Sequence, residues 1–244
     1  MSFEFLAPDA PAGEAEAPRP RSPIEWSHRK AGAELGELGG WSVVEGFGSD
    51  AAEAAAVRAG VGVADLSFLG KLELQGDPGR VAAIVAAEAG GAELRPGAAA
   101  LHEGVWWCPL GAERAMAVSP PERTAGLRER LAEAASADEP FVSVTELTAA
   151  LASNVVAGPL AREAFARATA LDMRPEHFAE GAFAPVSVAR TAGMVLRERG
   201  DRFLHLFGSG YAAYVWTVFV DAAEGLGGRA VGLRALVGTE AGGA

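Results

Sequence analysis

Four histidines, one cysteine and a few glycine clusters are the residues whose types could carry chemistry in this chain of 244 residues. His28, His102, His177 and His205 stand singly. None has another histidine three or four positions away, the spacing that puts two metal ligands on one helix face. Each reads as a surface residue or a hydrogen-bonded core residue, and no metal site is expected. Cys108 follows two tryptophans and has no Cys-x-x-Cys partner, which reads as a buried inert thiol. Phosphate cradles are absent: Gly70-Lys71 lies inside a strand pattern, and Gly60-Val61-Gly62 lacks the third glycine that would open a phosphate-binding helix. Gly208-Ser209-Gly210 lacks the Gly-x-Ser-x-Gly spacing of a nucleophile elbow, so Ser209 reads as a helix cap.

Two features stand out against this background. Trp106 and Trp107 are adjacent on a predicted strand, where neighbouring side chains point to opposite faces. One can enter the core while the other reaches a surface or cleft. The segment Tyr211 to Glu224 carries two apolar stripes rather than one. Tyr211, Tyr214, Val215, Val218, Phe219 and Ala222 form the first, and Ala212, Trp216, Val220 and Ala223 the second. One stripe suffices to hold a helix on its own sheet, so the second, with Trp216 and Val220, is expected to be a docking face.

These residues must be positioned by regular elements, and the punctuation is clear. Asp50 with Glu53 predicts a capped helix over 51–59, and Asp77 followed by Pro78 predicts another with Val81, Ile84 and Val85 inward. Ser119, Pro120, Pro121 and Glu122 spell a capping box with proline at the first helical position, and Leu127 and Leu131 supply the buried stripe of a third helix. Gly158-Pro159 opens a fourth over 159–170, and Ser209-Gly210 a fifth over 211–224. Between them, Leu69 to Gln75 alternates with Lys71, Glu73 and Gln75 facing away from Leu72 and Leu74. Further short strands are expected at 104–108, 114–118, 141–147, 151–156, 186–191, 194–199 and 203–207, the last two joined by a turn at Gly200-Asp201. In mid-chain the order is strand, helix, strand, strand, helix, strand, the split βαβ arrangement of ferredoxin-like units. The expected fold class is α+β: two packed ferredoxin-like lobes with mostly antiparallel sheets, 22–147 and 148–238, between a disordered tail (1–21) and a frayed one (239–244).

Composition sets the outer limits. Half of the residues are apolar and 22% charged, enough for a real core. A net charge of −11 gives no positive field to gather phosphates, so nucleic acid is not an expected partner. One cysteine excludes an intrachain disulfide and fits a reducing cytoplasm. The most apolar run, 211–220, is too short for the roughly 18 to 20 residues a bilayer crossing needs, so no membrane span is expected.

The segment Gly60-Val61-Gly62-Val63-Ala64-Asp65-Leu66-Ser67-Phe68-Leu69-Gly70-Lys71-Leu72-Glu73-Leu74-Gln75-Gly76 resembles the folate-binding aminomethyltransferase family, the glycine cleavage T protein and its relatives. Leu110-Gly111 before Arg114 to Val118, Ala157-Gly158-Pro159, and Val231-Gly232-Leu233-Arg234 look like later landmarks of that family in the same order. The resemblance covers about 40–238, and a full aminomethyltransferase continues into another barrel-like domain. Arg21-Ser22-Pro23 and Leu171-Asp172-Met173-Arg174-Pro175, with Phe178, Gly181, Arg190 and Thr191, look closer to the gamma subunit of heterotetrameric sarcosine oxidase, a shortened member.

The resemblance implies as much by its departures. Full members carry an acidic pair before the strand matching Val105 to Cys108, where this chain has Glu103 and Gly104. Folate-binding members show a Tyr-Thr-Gly-Glu type signature after an Arg-Thr-Gly-like turn, whereas Arg190-Thr191-Ala192-Gly193 runs into Met194-Val195-Leu196. Cys108 does not sit in the Cys-Gly-Gln-Glu style motif of the iron-sulfur-repair branch. The resemblance and its departures together imply a noncatalytic gamma-like subunit of a sarcosine oxidase-type complex. Tetrahydrofolate and flavin are then handled by the complex, and no cofactor is expected on this chain. Tyr211, Trp216 and Val220 would face partner subunits. The alternative is a stand-alone tetrahydrofolate-dependent aminomethyltransferase, or a folate-binding regulatory module. In the former Glu103 would be the carboxylate and Trp106 or Trp107 a stacking surface for the pterin, with Arg190 a further candidate for cofactor binding.

Overall fold

A computed structural model describes residues 19–137 and 139–238. Of the two tails, 239–244 lies outside the described residues, as does all of 1–21 except its last three positions. Those three are held along the body of the protein. Ser42 N–H donates to Pro20 O at 2.9 Å, Arg21 bridges to Ser42, and Arg19 pairs with Glu37 at 2.8 Å.

The chain runs α1 (Glu25–Lys30), β1 (Glu34–Leu38), β2 (Trp41–Gly46), α2 (Asp50–Ala59), β3 (Gly62–Asp65), β4 (Gly70–Gly76), α3 (Pro78–Glu88), β5 (Ala100–His102), β6 (Val105–Gly111), β7 (Arg114–Ser119), α4 (Pro121–Ser136), β8 (Val142–Glu146), β9 (Leu151–Ala157), α5 (Ala161–Ala166), β10 (Phe183–Val188), β11 (Thr191–Arg199), β12 (Arg202–Gly208), α6 (Ala212–Glu224), β13 (Arg229–Ala230) and α7 (Leu233–Gly238). The mid-chain unit β4-α3-β6-β7-α4-β8 forms a five-stranded sheet in the order β5-β6-β7-β4-β8. With β5 set aside as an added edge, this is the ferredoxin-like order, antiparallel throughout. The second sheet runs β10-β11-β12-β9-β3-β13. Its ferredoxin-like series β9, β11, β12 and β13 is interrupted by β3, which comes from early in the chain and lies between β9 and β13. A single cut between 147 and 148 therefore separates β3 from the sheet it pairs with.

Three cores define the layers. Leu72, Leu74 and Trp107 of the first sheet pack under α3 and α4, through Val81, Ile84, Val85, Leu127 and Leu131. Val63, Val156, Phe203 and Phe207 of the second sheet pack under α5 and α6, through Phe165, Val215 and Phe219. Between the sheets lies a third core in which Cys108, Met116 and Val118 meet Leu196, Leu204 and Leu206. The molecule is thus helices, sheet, sheet, helices. Burying both faces of each sheet removes about 1.5 to 3 kcal/mol of unfavourable exposure per large apolar side chain.

The helices on the first sheet start as their sequences require or nearly so. Asp77 caps α3, its carboxylate accepting from Arg80 N–H at 3.0 Å with Pro78 in the first turn. Leu127 and Leu131 are buried on α4. The expected capping box is not used: Pro120 occupies the cap without a side-chain bond, and buried Ser119 meets Thr124 Oγ1 at 3.0 Å instead. Capping of α2 falls to Ser49, while Glu53 is fully buried and accepts from Phe47 N–H at 2.6 Å and Gly232 N–H at 2.8 Å. The strand expected at 186–191 is broken by a hairpin turn at Ala189-Arg190, both residues at positive φ, which joins β10 to β11. Gly200-Asp201 forms the turn between β11 and β12 where expected.

Candidate functional site

Each residue singled out from the sequence has a definite place. Glu103 and Gly104 form the two-residue turn between β5 and β6, with φ of 46° and 78°, the left-handed pair a tight hairpin needs. The Glu103 side chain is 74% exposed, its carboxylate 4.0 Å from Arg123, whose guanidinium donates to Glu103 O. Trp107 points to the helix side of the sheet and is 1% exposed, its indole N–H without a partner. Trp106 points the other way and is half-buried against the core between the sheets. The cleft that brings Glu103 and Trp107 together, about 500 Å3, is also lined by His102, Arg123 and Arg130. It excludes Trp106 and Arg190; Arg190 is exposed on the β10–β11 turn of the other sheet. The residues offered for a pterin by the resemblance therefore do not converge on one site.

Helix α6 departs from the docking face expected of it. Ala212, Val215, Phe219, Ala222 and Ala223 are buried, and Trp216 and Val220 are half-buried against the same core. Trp216 lies edge-on to His28, ring centroids 4.7 Å apart. The second stripe thus meets the chain's own α1 and core, and the aromatic residues left exposed are Tyr211 (55%) and Tyr214 (49%). The sequence stripes mix the two faces because a helix that is apolar over most of its circumference carries no marker of which side is inward.

The strongest concentration of buried polar chemistry lies elsewhere, on β3 and β4. Asp65 Oδ2 is 2.8 Å from His28 Nε2 and accepts a hydrogen bond from Ser22 Oγ, while Asp65 Oδ1 accepts from Ser67 N–H at 2.9 Å. Burial alone would raise the Asp65 carboxyl. The His28 ring, then the Ser22 and Ser67 side chains, outweigh it and hold the group below the usual carboxylate range. At the start of β4, Lys71 is fully buried and its Nζ donates to Ser67 O at 2.8 Å. Burial pushes its ammonium down to about 7 against the opposing pull of Asp65. The period-2 pattern puts Lys71 on a solvated face, and the second sheet covers that face.

His205 on β12 and Asn154 on β9 are register partners, each buried, and both ring nitrogens of the one and both amide atoms of the other lack hydrogen-bond partners. Phe165, Phe207 and Phe219 surround His205, and burial lowers its value to about 3. Cys108 is fully buried, and burial pushes its thiol up, as an inert thiol requires.

Spacing along the chain leaves His28 and His205 isolated and does not couple His28 to Asp65, 37 positions away. The signal within reach is Asp65-Leu66-Ser67, the spacing at which an aspartate accepts from the amide two residues on.

The family landmarks are explained by packing. Gly158 has φ of 121°, and a Cβ there would lie 2.4 Å from Gly60 O. A Cβ on Gly232 would lie 2.1 Å from Glu45 O, and the next-but-one residue, Arg234, ties Glu34, Glu45 and Asp50 together. No helix among the described residues is long and apolar enough to cross a membrane, and among them no cluster of three or more ligand-type side chains forms a metal site.

No protein-family model matches the chain. Over 50 residues, 20% of its length, it is 46% identical to an aminomethyltransferase of Nitrosococcus oceani, of which the match spans 14%. In structure it is similar to a chain of heterotetrameric sarcosine oxidase from Corynebacterium sp. U-96, with a TM-score of 0.62 and 25% identity over 72% of this chain and 91% of that one. It is also similar to the glycine cleavage system aminomethyltransferase T of Bartonella henselae, with a TM-score of 0.71 and 20% identity over 88% of this chain and 60% of that one. The chain has the fold of the folate-binding aminomethyltransferase superfamily, as its sequence motifs imply, and within it resembles a sarcosine oxidase chain over nearly that chain's whole length.

Proposed function

We propose that the protein is a noncatalytic, gamma-like subunit of a heterotetrameric sarcosine oxidase-type complex that oxidises a secondary amine, in which flavin and tetrahydrofolate are handled by other subunits. The observation that carries this reading is coverage: the likeness takes in 91% of the sarcosine oxidase chain but 60% of the aminomethyltransferase. The site geometry supports it. Glu103 is solvated and paired with arginine on the rim of an open cleft, and Trp106, Trp107 and Arg190 are spread over both faces of one sheet and the edge of another. Tyr211, with Tyr214 beside it, is the exposed aromatic part of the surface assigned to partners.

The test is purification of the tagged chain from its native host. A flavoprotein subunit should co-elute in stoichiometric amount, and the assembly should show sarcosine-dependent flavin reduction. The isolated chain should transfer no aminomethyl or methylene group to tetrahydrofolate. Turnover by the isolated chain that is abolished in Glu103→Gln would replace this proposal with a stand-alone aminomethyltransferase.

A further inference from the structure

Helix α1 carries two half-satisfied side chains. Glu25 Oε1 accepts from Arg29 Nε at 2.9 Å, while Glu25 Oε2 is buried with no hydrogen bond of full geometry, the Ser42 hydroxyl being the other group that acts on this carboxylate. His28 Nε2 is engaged by Asp65 at 2.8 Å, while His28 Nδ1 is buried without a partner. Glu25 and His28 are three residues apart, so they share one face of the helix. They also line one small cavity together with Ser22, Ser42 and Asp65, with apolar walls that include Val43 and Phe68. Its volume is about 10 Å3, room for a single water and too little for a hydrated ion.

A polar cavity of that size, lined by two residues that each carry a buried atom without a hydrogen bond, meets the conditions under which proteins hold an internal water. We infer that this cavity is a binding site for one water molecule, which bridges Glu25 Oε2 and His28 Nδ1. The water completes a line from the Glu25 carboxylate through the imidazole to the Asp65 carboxylate. It serves both protonation states of the ring. With a neutral ring whose Nε2–H faces Asp65, the water donates one hydrogen to Nδ1 and the other to Glu25. With a protonated ring, Nδ1–H donates to the water, which still donates to Glu25. The segment 22–30 is thereby held to β3 through His28 and Asp65, with the water supporting the far side of the ring.

The protein itself provides the test. A high-resolution crystal structure should show one water within about 2.7 to 3.2 Å of both Glu25 Oε2 and His28 Nδ1. In solution, the His28 ring protons should show a nuclear Overhauser effect to a long-lived water. Glu25→Gln, which keeps an acceptor, should retain that signal, and Glu25→Leu should lose it while the His28–Asp65 bond persists. The inference is overturned by a direct Glu25–His28 bond, by a dry cavity in which the Ser42 hydroxyl alone satisfies Glu25, by a bare cation in place of the water, or by a water signal that survives Glu25→Leu.

Discussion

His28 Nε2 and Asp65 Oδ2 lie 2.8 Å apart with side chains 1% and 5% exposed, so an interaction between residues 37 positions apart joins the first helix to the first strand of the larger sheet. Asp65 also accepts from Ser22 Oγ and Ser67 N–H. Asp65→Ala leaves buried His28 and Ser67 and half-buried Ser22 without their acceptor, and breaking a buried pair of this kind costs about 3 to 5 kcal/mol. Urea denaturation should show that loss, and hydrogen exchange should show residues 22–30 losing protection first.

Asp65 and His205 should both shape the acid limb of the stability curve. Asp65 is held below its unfolded value, near 3.9, so its stabilisation is present above about pH 4 and is lost as pH falls through the folded value. His205 falls to about 3 from an unfolded value near 6.5, so its contribution is whole above about pH 6.5 and declines below it, by up to about 1.4 kcal/mol per pH unit. His205→Phe should flatten the curve between about pH 6.5 and 4. At pH 7 it should be at least as stable as the parent, since neither ring nitrogen has a partner to lose. A steep slope persisting in that variant would contradict the assignment.

Lys71 should act on the alkaline side. Its folded value is about 7 and its unfolded value near 10.4, so the unfolded chain holds the extra proton between them and stability rises with pH across that window. Lys71→Met should remove the rise and exceed the parent in stability at pH 6. Urea midpoints at pH 6, 7.5 and 9 decide it. Equal slopes for parent and variant would show that Lys71 titrates normally.

Two substitutions on α6 should separate folding from assembly. Trp216→Ala removes a half-buried ring packed on His28 and the adjoining core, and should lower stability by about 2 to 4 kcal/mol. Tyr211→Ala combined with Tyr214→Ala touches exposed rings and should leave the thermal midpoint nearly unchanged. In the proposed complex the double variant should weaken association by about 2 kcal/mol or more, read from partner titration.

Much of the fold is legible in local sequence. Asp77-Pro78 starts α3, Leu127 and Leu131 face inward on α4, Gly200-Asp201 turns the β11–β12 hairpin, and the mid-chain order of elements assembles as a ferredoxin-like sheet. The family landmarks are legible for the same reason, since Gly158 and Gly232 sit where backbone approaches within a Cβ's reach. What tertiary structure decided is which faces meet. Lys71 and Glu73 alternate as on a half-solvated strand, yet the two sheets pack face to face, and a strand's own pattern does not reveal that a second sheet will cover its polar side. Trp216 turns inward because α1 lies beside it, a neighbour supplied from almost 190 positions earlier in the chain. Asp65, His28 and Ser22 become one network only when β3 is inserted between β9 and β13 and α1 settles against it. Periodicity reports one element's environment, whereas a buried polar network depends on the meeting of several.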